Sequence, residues 1–102
     1  MTDRQRIELT ETKERLGEEQ AWLCHVCGRP MTLDSSHFAH VLPQDRVHIR
    51  RYGEEVIHHR LNGRLTCGLR CNAKVQVTYS AHPLMADMLA NRIREAIIKE
   101  AT

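Results

Sequence analysis

Two pairs of closely spaced cysteines constrain the fold of this chain more than any other feature. Cys24 and Cys27 are separated by two residues, and Cys67 and Cys71 by three. Two thiolates at such a spacing can bind one side of a tetrahedral Zn²⁺, and two such pairs complete a closed site. Because a site of four cysteines leaves no coordination position for a substrate, the sequence predicts a structural zinc that joins two distant segments.

The composition suits a small domain stabilised by a metal. The chain has 102 residues, of which 41% are hydrophobic but only 4% are aromatic. We therefore expect a single domain, 1–102, with a thin core that the zinc supports. Residues 1–20 are charged throughout and lack the apolar segment of a signal peptide, which predicts a cytoplasmic protein with no membrane association. Reduced thiols in that compartment favour a metal over the alternative, disulfide bonds.

The first half of the chain is expected to contain one helix and one strand. Residues 3–20 are rich in Glu, Arg, Lys and Gln, which predicts a weakly packed surface helix that Gly17 ends or loosens. Gly28 directly follows the first cysteine pair, as in a zinc knuckle. A strand is predicted within 31–42, and 47–57 fits either a helical turn or part of a longer hairpin connection.

The second half is expected to contain a short strand and two helices. Asn62-Gly63 predicts a turn, 65–67 a short strand, and a helix is expected to begin near the second cysteine pair, over 71–76. The clearest helix spans 82–100, where Pro83 suits the first helical position. Its predicted apolar face consists of Leu84, Met85, Met88, Leu89, Ile93, Ala96 and Ile97. This face would pack on the zinc module or pair with a second copy as a homodimer.

Charge is distributed unevenly along the chain although the net charge is only +2. The segment 46–74 contains seven Lys and Arg residues against two acids, whereas the first twenty residues contain six acids against four bases. A basic centre beside an acidic flank suits contact with phosphate groups, although an ordinary solvated surface is the alternative. The candidate nucleic-acid-binding residues are Arg50, Arg51, Arg60, Arg64 and Lys74.

Four sequence elements occur in an order that is similar to the HNH endonuclease family. After the first cysteine pair come His40 and Pro43, then Asn62 five residues before Cys67, and then Asn72 directly after the second pair. The resemblance covers about half of the chain, from the first cysteine to Lys74. It implies an α+β fold, a small treble clef of the ββα-metal type, with an HNH-like core over 22–78 and additional helices at both ends.

The resemblance also implies metal-dependent hydrolysis of phosphodiester bonds, with DNA as the expected substrate. In the carried-over roles His40 is the general base, Asn62 positions it, and Asn72 is a ligand of the catalytic cation. A histidine suits the first role because its pKa lies near working pH. A divalent cation suits the reaction because it offsets the charge on the scissile phosphate and the leaving oxygen.

One position departs from the family pattern. The family usually has an acid directly before its catalytic histidine, whereas this chain has Ala39. Asn72 would then need a further ligand, and His37 or His59 would supply a nitrogen, which favours a transition metal such as Mn²⁺, Ni²⁺ or Zn²⁺ over Mg²⁺. Ala39 also supports the rival interpretation, a catalytically inactive HNH-like zinc module that binds DNA or a protein partner as an adaptor.

Overall fold

The structure is a computed structural model that describes residues 2–102, so the first residue of the predicted domain 1–102 lies outside the described residues. It is an α+β fold with a two-stranded sheet, in which β1 pairs with β2. A short 3-10 helix, Arg60–Asn62, directly precedes β2. The remaining elements in chain order are α1 (Asp3–Glu19), β1 (His37–His40), α2 (Arg46–Tyr52), α3 (Glu54–Ile57), β2 (Gly63–Thr66), α4 (Leu69–Val75) and α5 (Pro83–Glu100).

The chain divides into two compact units. Unit 1 contains the residues up to Ala39 together with Arg64–Val75, and unit 2 contains His40–Gly63 together with Gln76–Thr102. All four cysteines therefore belong to unit 1. Both predicted catalytic residues, His40 and Asn62, belong to unit 2. No helix in residues 2–102 combines the length and the apolar character that crossing a membrane requires.

Unit 1 has a small core around the cysteines. This core contains Leu16 from α1, Leu65 from β2, and Met31, Cys24 and Cys71. Helix α1 begins with a capping box. The Thr2 side chain accepts from the Gln5 N–H, and the Gln5 side chain accepts from the Thr2 N–H. It buries only two residues, so most of this helix is surface.

Unit 2 has a separate apolar core between α2, α3 and α5. Leu42 and Ile57 are fully buried, and α5 contributes Ala86, Ala90 and Ile93 at steps of four and three residues. The predicted apolar face of this helix was therefore partly wrong. The buried face centres on these two alanines, whereas Leu84, Met85 and Met88 are exposed.

Of the two alternatives for 47–57, the structure has the helical one and not the hairpin connection. The segment forms α2 and α3, which are separated at Gly53 because this residue has a positive φ of 90°. Two other expectations need correction. Asn62 ends the 3-10 helix instead of forming a turn between strands. Gly17 does not end α1, which continues to Glu19.

Candidate metal centre and histidine site

The four cysteine side chains converge in unit 1. Their Sγ atoms all lie within 4.8 Å of one another. The Cys27 and Cys67 Sγ atoms are 3.5 Å apart, and those of Cys67 and Cys71 are 3.7 Å apart. Tetrahedral Zn²⁺ with Zn–S bonds of about 2.3 Å requires sulfur atoms about 3.8 Å apart, whereas a disulfide requires about 2.05 Å. The site therefore fits a metal ion such as zinc, and the cysteines are not disulfide-bonded.

A tight backbone loop presents the first pair. The Cys24 N–H donates to the Arg29 carbonyl at 2.9 Å, and the Gly28 N–H donates to the Cys24 carbonyl at 3.0 Å. Gly28 has a φ of 74°, a conformation that residues with a Cβ rarely adopt. The glycine therefore allows the chain to turn immediately after Cys27, so that both thiols face the same point.

The second pair is positioned by β2 and the first turn of α4. Cys67 follows β2 directly, and its backbone N–H donates to Cys24 Sγ at 3.3 Å. Cys71 lies two residues inside α4, which begins at Leu69 instead of at the cysteine itself. Cys67 and Cys71 are separated by three residues, which is about one helical turn. The first turn of α4 therefore brings Cys71 beside Cys67.

The protein environment acts differently on the two buried thiols. Burial raises the pKa of Cys24, but backbone N–H groups of Cys27, Val26 and Cys67 outweigh burial and lower this pKa to about 6. For Cys71, burial raises the pKa to about 12. A bound cation would supply the positive charge that the Cys71 thiolate lacks, because metal ligation requires the deprotonated sulfur.

Asn62 and His40, the two predicted catalytic residues, both lie in unit 2. Asn62 is fully buried; its Nδ2 donates to the carbonyls of Leu42 at 3.0 Å and Ile57 at 2.8 Å, and its Oδ1 accepts from the Leu42 N–H at 2.8 Å. Its backbone carbonyl also accepts from the Val41 N–H at 2.8 Å. The asparagine therefore fixes the two residues that directly follow His40.

His40 is half-buried at the end of β1. Its ring makes an edge-to-face contact with His58, with centroids 5.8 Å apart and planes at 80°. Burial, and secondarily the charge of His58, lower the pKa of His40 below its ordinary value of 6.5. The imidazole is therefore neutral at pH 7, which is the form that accepts a proton. The sequence pattern did not predict the contact of His58 with His40, because this contact depends on tertiary structure.

His59, a predicted cation ligand, has both ring nitrogens in use. Its Nδ1 accepts from the Leu61 N–H at 3.1 Å, which places the proton of the neutral ring on Nε2. Nε2 then donates to the carboxylate of Glu100, whose oxygens lie 3.1 and 3.3 Å away. Binding a cation would require His59 to give up one of these two contacts.

The other two predicted cation ligands belong to unit 1. His37 is exposed at the start of β1, and Asn72 lies in α4, where its Oδ1 accepts from the Thr66 hydroxyl. An ion-binding group needs at least three Cys, His, Asp or Glu side chains close together. Within residues 2–102 the four cysteines form such a group, and no second one occurs there. The catalytic cation therefore stays a prediction from the resemblance.

Two of the predicted phosphate-binding arginines are paired with carboxylates. Both Arg51 Nε and Nη2 donate to Asp87, each at 3.2 Å, and the Arg51 guanidinium carbon lies 3.6 Å from the ring centroid of Tyr79. Arg60 Nη2 lies 3.5 Å from a Glu100 oxygen. These contacts reduce the positive charge that the two side chains offer to a phosphate.

The remaining predicted phosphate-binding residues differ in exposure. Arg50 on α2 and Lys74 on α4 are exposed, whereas Arg64 on β2 is half-buried. Burial lowers the pKa of Arg64, and the charge of Glu19 opposes this effect. Arg50 and Lys74 are therefore open to solvent, and hence to a ligand.

The sequence analysis missed a buried histidine in unit 2. His48 is 5% exposed; its Nδ1 lies 2.6 Å from Asp45 Oδ1, and its Nε2 accepts from the Tyr79 N–H at 3.0 Å. Asp45 also caps α2, since the same oxygen accepts from the His48 N–H at 2.9 Å. An Asp three residues before a His at a helix start was the available signal. With both ring nitrogens bonded, His48 supports the structure of unit 2.

Comparison with protein-family models, with curated proteins and with solved structures finds no match to this chain. The functional argument therefore depends on the residues of the chain itself. Two features carry it. One is the cluster of four cysteines in unit 1, and the other is a half-buried histidine in unit 2, His40, whose following residues are held by the buried Asn62.

Proposed function

We propose that the chain is a metal-dependent nuclease of the HNH kind, with a structural zinc held by its four cysteines in a treble-clef core. The sulfur distances of 3.5 and 3.7 Å support the choice of zinc, because they are close to those of a tetrahedral tetrathiolate. The short two-stranded sheet, and α4 beginning between Cys67 and Cys71, support the treble clef. The proposed substrate is nucleic acid, with DNA as the first choice.

The observation that carries the proposal is that Asn62 fixes the backbone of the two residues directly after His40. A general base must be neutral at working pH and held in a fixed position. Burial keeps His40 neutral, and the buried amide of Asn62 fixes the backbone of Leu42, two residues further along.

In the proposed reaction His40 accepts a proton from the water molecule that attacks the scissile phosphorus. Asn62 holds the loop after β1 so that the imidazole keeps its orientation during the transfer. His58, at the edge of the His40 ring, disfavours a second positive charge there and so keeps His40 in its basic form. A divalent cation, when bound, would offset the charge that develops on the phosphate and the leaving oxygen.

A second candidate function is a catalytically inactive adaptor that binds nucleic acid or a protein. Ala39 favours it, because this residue occupies the position of the usual acidic ligand and is only 3% exposed. A carboxylate at such a position would itself be buried. Under this alternative the cysteine site retains its structural role while His40 and Asn62 serve only to stabilise unit 2.

The test is a plasmid-nicking assay with zinc-loaded protein. Supercoiled DNA is incubated with the protein alone and with added Mg²⁺, Mn²⁺ or Ni²⁺, and the same series is repeated with His40→Ala. His82→Ala is the matched control, since His82 is exposed and lies outside the proposed site. We expect nicking that needs the added cation, falls at least 100-fold in His40→Ala and is unchanged in His82→Ala, about the loss typical of removing a general base.

Two other results would favour the adaptor. Retarded but intact DNA with every cation would show binding without cleavage. Equal nicking by His40→Ala and the original protein would show that any nuclease activity comes from elsewhere. Circular dichroism of each variant must accompany the assay, because a loss of folding would also abolish nicking.

A further inference from the structure

A cleft in unit 2 carries exposed positive charge beside apolar surface. Its volume is about 560 Å³, and it is lined by Arg46, Val47, Arg50, Arg51 and Tyr79. We propose that this cleft binds a single-stranded segment of nucleic acid, with phosphates on Arg46 and Arg50 and a base against Val47 and Tyr79. The choice of nucleic acid as the ligand rests on the proposed function.

The three arginines of the cleft have different roles. Arg51 forms two hydrogen bonds to Asp87, each 3.2 Å long, and its guanidinium carbon lies over the Tyr79 ring, 3.6 Å from the ring centroid. The Tyr52 hydroxyl donates to the same carboxylate at 2.7 Å, which further fixes Asp87. Arg51 is therefore a fixed wall of the cleft whose charge is already balanced, and it holds the Tyr79 ring in place.

Arg46 and Arg50 take no part in the contacts that Arg51 makes with Asp87 and Tyr79. They are four residues apart on α2, so both side chains lie on one face of the helix. Both are exposed. Two neighbouring guanidinium groups with planar donor sets suit successive phosphates of one strand, since arginine binds phosphate through paired N–H donors.

The apolar part of the cleft favours a single strand over a duplex. Val47 follows Arg46 on the helix, lines the same cleft and is 65% exposed, so it offers apolar surface to a ligand. Tyr79 is half-buried and held by Arg51. In a duplex the bases are stacked and paired, so only an unpaired base can lie against a valine and a tyrosine.

The experiment measures binding without cleavage. Fluorescence anisotropy of a labelled oligothymidylate, and of a duplex of equal length, is recorded with His40→Ala protein and no added divalent cation. The test variant adds Arg46→Gln and Arg50→Gln. The matched control adds Arg92→Gln and Lys99→Gln, which remove the same charge from exposed positions of α5. A third variant, Tyr79→Leu, is compared with Tyr79→Phe, and circular dichroism confirms folding.

We expect the Arg46/Arg50 variant to bind the single strand at least 10-fold more weakly, with a salt slope smaller by about 1.4, because two phosphate contacts are lost. The control should retain both affinity and slope. Tyr79→Leu should weaken single-strand binding several-fold at an unchanged slope, and Tyr79→Phe should not. Equal losses in the test and control pairs, or no loss, would overturn the proposal.

Duplex binding that depends on Tyr79 as strongly as single-strand binding would also overturn it. Failure of the nuclease proposal gives a different pattern. In that case plasmid DNA stays intact with every cation, while the dependence of oligothymidylate binding on Arg46 and Arg50 is unaffected.

Discussion

The side chain of Asn62 pairs with the backbone of Leu42 as a neighbouring strand would. Asn62 Oδ1 accepts from the Leu42 N–H at 2.8 Å, and Asn62 Nδ2 donates to the Leu42 carbonyl at 3.0 Å. Both residues are 0% exposed, so no water replaces either bond. The backbone N–H and carbonyl of Leu42 therefore both bond to one amide side chain.

Replacing Asn62 should strongly destabilise unit 2. Asn62→Ala would leave three buried groups without partners, the N–H and carbonyl of Leu42 and the carbonyl of Ile57. Each such group costs about 1–3 kcal/mol, so we expect the free energy of unfolding to fall by about 3 kcal/mol or more. Urea denaturation followed by circular dichroism measures this change.

Asn91→Ala is the control for that measurement. Asn91 is exposed on α5 and accepts one bond, from Arg94 at 3.2 Å, so its loss should change the stability by no more than about 0.5 kcal/mol. A loss below about 1 kcal/mol for Asn62→Ala would mean that other groups or water can replace its bonds.

Removal of the metal should expose every thiol of the chain. The chain has four cysteines, and the structure brings all of them together. Cys27 is exposed and would react rapidly with a thiol reagent if it were not a ligand. We expect no rapidly reacting thiol in the zinc-loaded protein, four after chelation, and one zinc per chain by elemental analysis.

Loss of the metal should also unfold unit 1, because the cysteines form much of its small core. Loss of helical signal on chelation, and its recovery when Zn²⁺ is added, would follow. Rapid labelling of Cys27 alone in the zinc-loaded protein would contradict a site of four ligands and leave a site of three.

The sequence predicted those parts of the molecule that local spacing determines. The cysteine pairs lie together as expected, and helices occur at Asp3–Glu19 and Pro83–Glu100, close to the expected 3–20 and 82–100. The face of α5 was less predictable. Small residues such as Ala86 and Ala90 allow close packing, which outweighs the larger apolar side chains of Met85 and Met88.

Tertiary contacts account for most of what the sequence did not indicate. The approach of His58 to His40, and the ion pair of Arg51 with Asp87, join residues 18 and 36 positions apart (58 − 40 and 87 − 51). No periodic pattern encodes such pairs. The burial of His48 also depends on a distant residue, because its Nε2 accepts from the Tyr79 N–H.

His40 should titrate below the range of an ordinary histidine. Burial and the charge of His58 both disfavour its protonated form, so its pKa should lie below 6.5. In His58→Ala the second effect is lost, and the pKa of His40 should rise. NMR titration of the His40 ring protons measures both values, and His82→Ala serves as the control. A pKa above 6.5 in the original protein would argue against His40 as a base that is neutral at pH 7.

The same lowered pKa sets the expected pH dependence of cleavage. Because a histidine base acts in its neutral form, the rate of cleavage should be constant above the pKa of His40. It should fall as the pH drops through that pKa. The acid limb should therefore lie below pH 6.5 and move upward in His58→Ala. If His58→Ala raises the pKa of His40 measured by NMR but leaves the acid limb of cleavage unchanged, another group is the base.

Gly17→Ala should destabilise unit 1 although alanine favours helices. A Cβ at position 17 would lie 2.4 Å from the ring of Trp22, far inside van der Waals contact. Trp22 cannot easily withdraw, because its backbone has a positive φ of 54° and its N–H donates to the Gly17 carbonyl at 2.7 Å. Such overpacking costs about 1–3 kcal/mol, which exceeds the gain of up to about 1 kcal/mol in helix propensity.

Two variants separate the clash from other effects of the substitution. Gly68→Ala adds a Cβ that meets no atom within 4 Å, so its effect should stay within about 0.5 kcal/mol. In a Trp22→Ala background the ring is absent, and Gly17→Ala should then become neutral or stabilising. Thermal unfolding of the four proteins of this cycle gives the coupling between positions 17 and 22. Equal effects of Gly17→Ala in both backgrounds would show that the close approach of glycine and ring does not limit the stability of unit 1.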